Sequence, residues 1–405
     1  MKGAKIHSSI YIWELIIFLV PTITPFVQIH GFRPLLYGTN VLLFVALILN
    51  GSIDKRILNN KLILLYALLI VYHFINCYVQ KVPMTSGNGY LAFFTPILSN
   101  FCMMTLLYAM FLENRHKALR YLCVSYLLWV ILAYQSVSEV EGRLIGDYIH
   151  PNQYAQAAGM GLFVILLTKH LNLCKTNTMV LMSLLPVGAI LGCGSRNGLG
   201  LLFIFMFALV VSNIQGRIVS TKQIIGAIIA FVGFVYAGEY IIENTFLGER
   251  FLTHETSEKF YVKTGTIIDL LGDRAIYYVL GYRNFLTNPL FGIGLWHFNT
   301  FNNFGYPLHS EYMIHFCEGG IIGISLYLLF IGVLLYKLVM KYIKDKNGEN
   351  FVVLMTFLAY LFIGLTAREF YYSQFFPVLG ICIAWSENRL NKNRITRNNY
   401  LWIGK

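Results

Sequence analysis

HSEYMIHFCEGGIIGISLYLLFIGVLLYKLVMK, residues 309–341, opens on His309 and Ser310, turns apolar, and closes on Lys337 and Lys341. A membrane-spanning helix needs about 20 mostly apolar residues, and this stretch supplies one over residues 311–336. The same pattern recurs on both sides of it. Residues 10–29, 35–50, 62–79, 93–112, 121–138, 151–168, 178–193, 198–213, 223–241, 351–366 and 375–386 read as further spans. Composition agrees: 57% of the 405 residues are hydrophobic and only 12% are charged, where a soluble domain carries about 25% charged residues. That balance excludes a soluble enzyme, a disordered chain and a disulfide-stapled secreted scaffold. The expected architecture is an all-α polytopic membrane protein with about twelve transmembrane helices, forming one integral membrane domain over residues 1–405. The start, MKGAKIHSS, runs into an apolar stretch that continues as a span, so no cleavable signal is expected. The seven cysteines form no CxxC pair and read as small buried hydrophobes.

The net charge is 31 − 19 = +12. In so apolar a chain this surplus reports membrane topology rather than nucleic-acid binding. Basic residues collect in alternate connections: Lys55, Arg56 and Lys61; Arg115, Lys117 and Arg120; Lys169 and Lys175; Arg217 and Lys222; Lys337, Lys341, Lys344 and Lys346. With Lys2, Lys5 and the five basic residues after 388, this set predicts two cytoplasmic termini. The Asn-rich tail over 387–399 reads as a solvated cytoplasmic end. The opposite face carries only Arg33, Lys81, Arg143, Arg196 and Arg368 in its short segments. It also carries one long extracytoplasmic loop, residues 242–310. Loops of this length tend to be functional. Within it, DRAIYYVLGYRNFLTNPLFGIG reads as an amphipathic helix followed by a Pro-Gly turn, lying against the outer membrane surface.

The residues able to carry chemistry lie on that outer face. His309 and Ser310 stand where the long loop meets a span, with Ser310 placed as a helix cap. A helix start attracts anions and disfavours a protonated imidazole, so a neutral His309 beside a bound anion would accept a proton from a hydroxyl. The competing reading is an interfacial histidine that only hydrogen-bonds. Glu311, His315 and Glu318 follow at i, i+4 and i+7 on one helical face, either as metal ligands or as a polar stripe packed against other spans. Gly319 and Gly323 form a small-xxx-small packing pair. Arg196 sits in a very short turn, GCGSRNGLG (192–200), either as a functional charge at the hydrocarbon edge or as an arginine reaching headgroups. Arg274 and Arg283 lie in the long loop; Arg143, Asp147, His150 and Asn152 precede a span that Pro151 can open, or else form a solvated loop. Arginine's planar fork grips phosphate oxygens in pairs, and fixed arginines stabilise the charge that builds on a diphosphate leaving group. No DxD occurs, so nothing points to metal-dependent use of a nucleotide sugar.

Together these stretches resemble the bacterial O-antigen polymerase and O-antigen ligase superfamily. Its pattern is His, then Asn, Ser or Gln, nine residues, Gly, two residues and Gly, matched by His309, Ser310, Gly320 and Gly323. A loop arginine ahead of a Pro-x-x-Gly-x-Gly turn is matched by Arg274 before Pro289, Gly292 and Gly294. HPNQYA matches the polar stretch before a middle span, and Ser195-Arg196 matches the Ser-Arg turn. Tyr277 or Tyr278 stands where relatives often carry tryptophan, which leaves open whether Arg274 or Arg283 is the key loop arginine.

The resemblance implies a metal-independent glycosyltransferase, needing no cofactor, that polymerises polyprenyl-diphosphate-linked oligosaccharide repeat units into O-antigen or a related surface polysaccharide. It would work on the outer face of the bacterial cytoplasmic (inner) membrane. His309, Arg196 and Arg274 would be catalytic. Arg283, Arg143, Asn152, His150, Ser310, Tyr312 and Glu318 would bind substrate. The partners are the lipid-linked donor and acceptor and membrane lipids, with a chain-length regulator and a flippase as further candidates and no nucleic acid. The alternatives are an O-antigen ligase, which moves finished glycan to lipid A core or protein, and a flippase for the same lipid-linked glycan. Polymerase is favoured over ligase, and the absence of repeated halves weighs against transport.

Overall fold

The computed structural model describes residues 37–38, 41–42, 44–45, 59–82, 89–134, 137–140, 143–146, 150–214, 275–301 and 307–387. The expected spans at 10–29 and 223–241 lie outside these residues, as do most of 35–50, the loop residues 242–274 and the basic tail. What is described is helical but for one hairpin. In chain order the elements are α1 (Lys61–Val79), α2 (Gly89–Glu113), α3 (Arg115–Tyr134), β1 (Val137–Val140), β2 (Arg143–Gly146), α4 (Pro151–His170), α5 (Thr176–Gly192), α6 (Arg196–Ile214), α7 (Ala275–Thr287) and α8 (Phe298–Phe301). Then come α9 (Glu311–Met313), a π-helical turn (Ile314–Glu318), α10 (Gly320–Lys344), α11 (Gly348–Gly364), a 3₁₀ turn (Glu369–Tyr371) and α12 (Phe376–Ser386).

Among the described residues, five helices are long and apolar enough to cross a membrane: α1, α2 over Phe94–Leu112, α3 over Arg115–Ala133, α6 and α10. Shorter apolar helices α5, α11 and α12 pack among them. Their outward faces are apolar, as with Leu64, Leu68 and Ile75 on α1, Leu181 and Leu184 on α5, and Leu328, Leu329 and Ile343 on α10. Contiguous apolar surface of this extent is what lipid, not water, would solvate.

Helix α4 is the axis. Pro151 occupies its first turn, His150 caps it by accepting from the Asn152 N–H at 3.2 Å, and every residue from Gln153 to Thr168 is buried. Its later stretch, residues 159–167, is apolar on all sides and belongs inside. Helices α3, α5, α6 and α11 surround this one. Gly198 brings α6 against it, since a Cβ there would sit 2.8 Å from the Ala155 Cβ. Helix α2 lies along α12, and α10 along α1 and α11.

Two boundaries differ from the sequence reading. The span expected over 121–138 ends as a helix at Tyr134, and residues 137–140 instead pair antiparallel with 143–146, Val137 opposite Gly146. Val137 and Val140 favour strand, so the chain turns back before the apolar run ends. The span expected over 311–336 is not one helix. It is interrupted at Ile314–Gly319, and α10 starts anew at Gly320, whose φ is +64°.

The helices alternate in direction, so the described basic residues sort by end. Lys61, Arg115, Lys117, Arg120, Lys169, Lys175, Lys344 and Lys346 lie at one end, fastened by Asn60 to Tyr108 (3.0 Å) and Glu387 and by His170 to Ser212 (2.8 Å). Lys81, Arg196, Arg283 and Arg368 lie at the other.

Candidate functional site

The break in the 311–344 segment organises the sparsely basic end. A π turn leaves carbonyls without helical donors. Here the loop after α7 supplies them: Ile293 N donates to Cys317 O at 3.2 Å and Gly294 N to Glu318 O at 2.9 Å. In return, Ile321 N donates to Pro289 O (2.8 Å) and Ile322 N to Leu290 O (3.3 Å), which satisfies the orphan N–H groups of α10. The exchange demands near backbone-to-backbone contact. A Cβ on Gly320 would lie 2.4 Å from Gly292 N, and one on Gly292 would lie 2.5 Å from Gly320 N. So the Pro-x-x-Gly-x-Gly turn and the glycine of the histidine motif are two halves of one joint. From α1, Asn76 Nδ2 donates to Phe291 O (2.8 Å) and Glu318 O (3.0 Å), and Tyr72 Oη to Gly319 O (2.5 Å).

Beneath the joint lies a buried polar chain. His315 Nε2 donates to Glu311 Oε1 at 3.0 Å, and His315 Nδ1 lies 2.8 Å from His73 Nε2. With a neutral His315 its Nδ1 is the acceptor, so His73 Nε2–H is the donor. All three side chains are essentially inaccessible. The second Glu311 oxygen accepts from Phe370 N at 3.0 Å, which pins the connection between α11 and α12. Glu318 faces elsewhere, its Oε1 accepting from Phe298 N at 3.2 Å. The Glu311–His315–Glu318 stripe is thus packed against other elements. Glu311→Ala should leave both His315 Nε2–H and Phe370 N–H buried without this acceptor, at about 1–3 kcal/mol for each orphan. Glu311→Gln, which keeps one oxygen, should lose less. Thermal melting of the detergent-solubilised protein checks the order, and equal melting of both variants with wild type would show the pin to be idle.

The connection after α11 is a hub. Tyr278 Oη of α7 lies 2.6 Å from Leu365 O and 3.0 Å from Ser310 Oγ. Asn197, next to Arg196, donates to Thr366 Oγ1. Ser310 caps α9, accepting from Met313 N at 3.4 Å, as the sequence predicts. His309 is half-buried, with the Tyr277 ring edge-on at 5.4 Å. Gln153 Nε2 of α4 reaches Gln374 Oε1 at 3.4 Å, bringing the His150–Asn152 start of α4 to the same end. Burial pushes the Tyr371 phenol well above its ordinary value, so it stays protonated.

Of the predicted site residues, Arg196, His309, Ser310, His150 and Asn152 therefore gather at one end, Arg196 and His150 exposed. Arg283 is exposed on α7. Tyr312 turns inward, donating to Leu361 O at 3.0 Å, and Glu318 is likewise interior. Arg274 and the Arg143 side chain lie outside the described residues, although the Arg143 backbone is in β2. His73, Asn76, Trp296 and Phe370 escaped the sequence reading. The usable signal was a histidine and an asparagine three residues apart inside an otherwise apolar span, where polar residues are costly.

Compared with protein-family models and with curated proteins, the chain matches none.

Proposed function

We propose that the chain is a membrane glycosyltransferase that lengthens polyprenyl-diphosphate-linked oligosaccharides on the outer face of the bacterial cytoplasmic membrane. The observation that carries this reading is the joint at residues 288–296 and 314–322. It fixes the turn after the loop helix to the broken span, while Tyr278 ties that helix to the Ser310 cap and Asn197 ties the residue beside Arg196 to the hub, all at the end opposite the Lys-rich one. A Lys-rich end belongs in the cytoplasm, which would set these elements outside with both termini inside.

The chemistry follows from the groups. The acceptor sugar's hydroxyl oxygen attacks the anomeric carbon of the donor, and the bond from that carbon to the diphosphate oxygen breaks. His309 takes the hydroxyl proton. Arg196, with Arg274 from the long loop, holds the diphosphate as its charge develops; Arg283 and Arg143 are further candidates for that grip. The products are a longer lipid-linked glycan and free polyprenyl diphosphate. Glu318 and Tyr312, interior in this structure, would support the shape of the site, and Asn152 and His150 would contact the glycan.

The test is reconstitution of the purified protein with a polyprenyl-diphosphate oligosaccharide of defined mass. Products spaced by whole repeat units, formed without any ion gradient, are expected. Transfer of a single preassembled glycan to lipid A core would select the ligase reading. No product at all alongside gradient-driven movement of the lipid would select the flippase.

A further inference from the structure

The geometry points to Arg368 as an oxyanion-binding residue of the outer site, taking a phosphate or carboxylate oxygen of the saccharide substrate. The identity of that substrate rests on the function proposed above; the binding of an oxyanion does not. Arg368 occupies the hub connection, between Thr366, bonded to Asn197, and Phe370, bonded to Glu311. Its guanidinium carbon lies 5.1 Å from the Trp296 ring and 5.8 Å from the Tyr372 ring. Aromatic faces at this distance hold a guanidinium without consuming its N–H groups.

Those groups are largely unused. Guanidinium has five N–H donors. Among the described residues, one of them reaches an acceptor, Tyr372 Oη at 3.4 Å, and the buried Nε has none. A surface arginine would spend such donors on water, but Nε is closed to solvent. Glu318, an acidic group that senses the Arg368 charge, accepts its hydrogen bond from Phe298 N. The support is also strained: Trp296 holds φ at +69°, a left-handed conformation costly for a bulky residue. Such strain persists where the surroundings over-determine it, and it concentrates at functional sites. A rigidly presented planar fork with vacant donors matches a tetrahedral phosphate or a carboxylate, and it does not match a neutral sugar.

The oxyanion has two sources, the diphosphate and an acidic sugar of the repeat, and the experiment separates them. The purified full chain in neutral detergent is titrated with undecaprenyl diphosphate, with a glucuronate-containing oligosaccharide lacking lipid, and with phosphatidylglycerol. Wild type should bind one of the first two. Arg368→Gln should weaken that probe by about 10- to 100-fold, the range for a lost charged hydrogen bond. Arg368→Lys keeps the charge without the fork and should weaken it less, and it serves as the folded control if the glutamine variant elutes as aggregate. Unchanged affinity in Arg368→Lys and Arg368→Gln overturns the inference. So does wild-type indifference to both undecaprenyl diphosphate and the glucuronate oligosaccharide, or equally tight Arg368-dependent binding of phosphatidylglycerol, which would make this a headgroup contact. Elongation is assayed separately. Arg368-dependent probe binding in a protein that elongates nothing leaves the oxyanion site standing and removes the proposed reaction. Elongation at the wild-type rate with wild-type probe affinity in Arg368→Gln does the reverse.

Discussion

Replacing His309 with alanine is expected to slow glycan elongation by about 10²–10⁴-fold, the usual contribution of a positioned general base. The side chain is half-buried at the start of the histidine motif, flanked by the Tyr277 ring and followed by the capping Ser310. Removing it takes no hydrogen bond from the Glu311–His315–His73 chain, so the fold should survive and the loss should appear in the rate of transfer. In a complemented deletion strain, surface glycans of the variant should stop at single repeats. Long glycans of normal distribution from His309→Ala would take the imidazole out of the mechanism, and labelling of position 309 from the cytosolic side alone would take the site out of the outer face.

A methyl group at Gly320 should have the largest effect on the fold itself. Alanine there must adopt φ near +64°, which costs about 1–2 kcal/mol before any contact is considered. Its Cβ would then meet Gly292 N at 2.4 Å and Leu290 O at 2.5 Å, both backbone atoms with no rotamer to escape into. Relief requires pulling the 288–294 turn away, which breaks up to four backbone hydrogen bonds worth about 0.5–1.5 kcal/mol each. Gly292→Ala meets the same obstacle from the other side, with Glu318 C and Gly320 N at 2.5 Å. Gly332 in α10 is the control, since an added Cβ there touches nothing within 4 Å. Gly332→Ala should be neutral or stabilising by roughly 0.5–1 kcal/mol. If Gly320→Ala and Gly332→Ala melted together in detergent, the joint would not be the rigid element described here.

Much of the helical layout was legible because a span is a one-dimensional signal: length and apolarity suffice. That is why 62–79 and 198–213 match α1 and α6 within a few residues. The same simplicity misled at 121–138, where apolar Val137 and Val140 serve a strand as well as a helix. It misled again at 311–336, where composition carries no trace of a π turn. Ser310's cap was readable, since a local hydrogen bond leaves a local signature. The pairing of Gly292 with Gly320 was not, because each glycine was visible but their contact spans the α8 region and the Ser310 cap. His73 and Arg368 were hidden for the same reason. A single histidine in a hydrophobic run and a single arginine after one gain meaning only from partners some 240 and 70 residues away, His315 and Trp296.

The reciprocal pairing of loop and broken helix also sets how such proteins can be recombined. The loop after α7 closes the hydrogen bonds of the very turn that interrupts the next span. A chimaera that imports a foreign loop must therefore carry residues 288–296 and 314–322 from one parent. Crossovers between those two segments should give chains that insert yet never seat their loop, whereas crossovers outside them should exchange it whole.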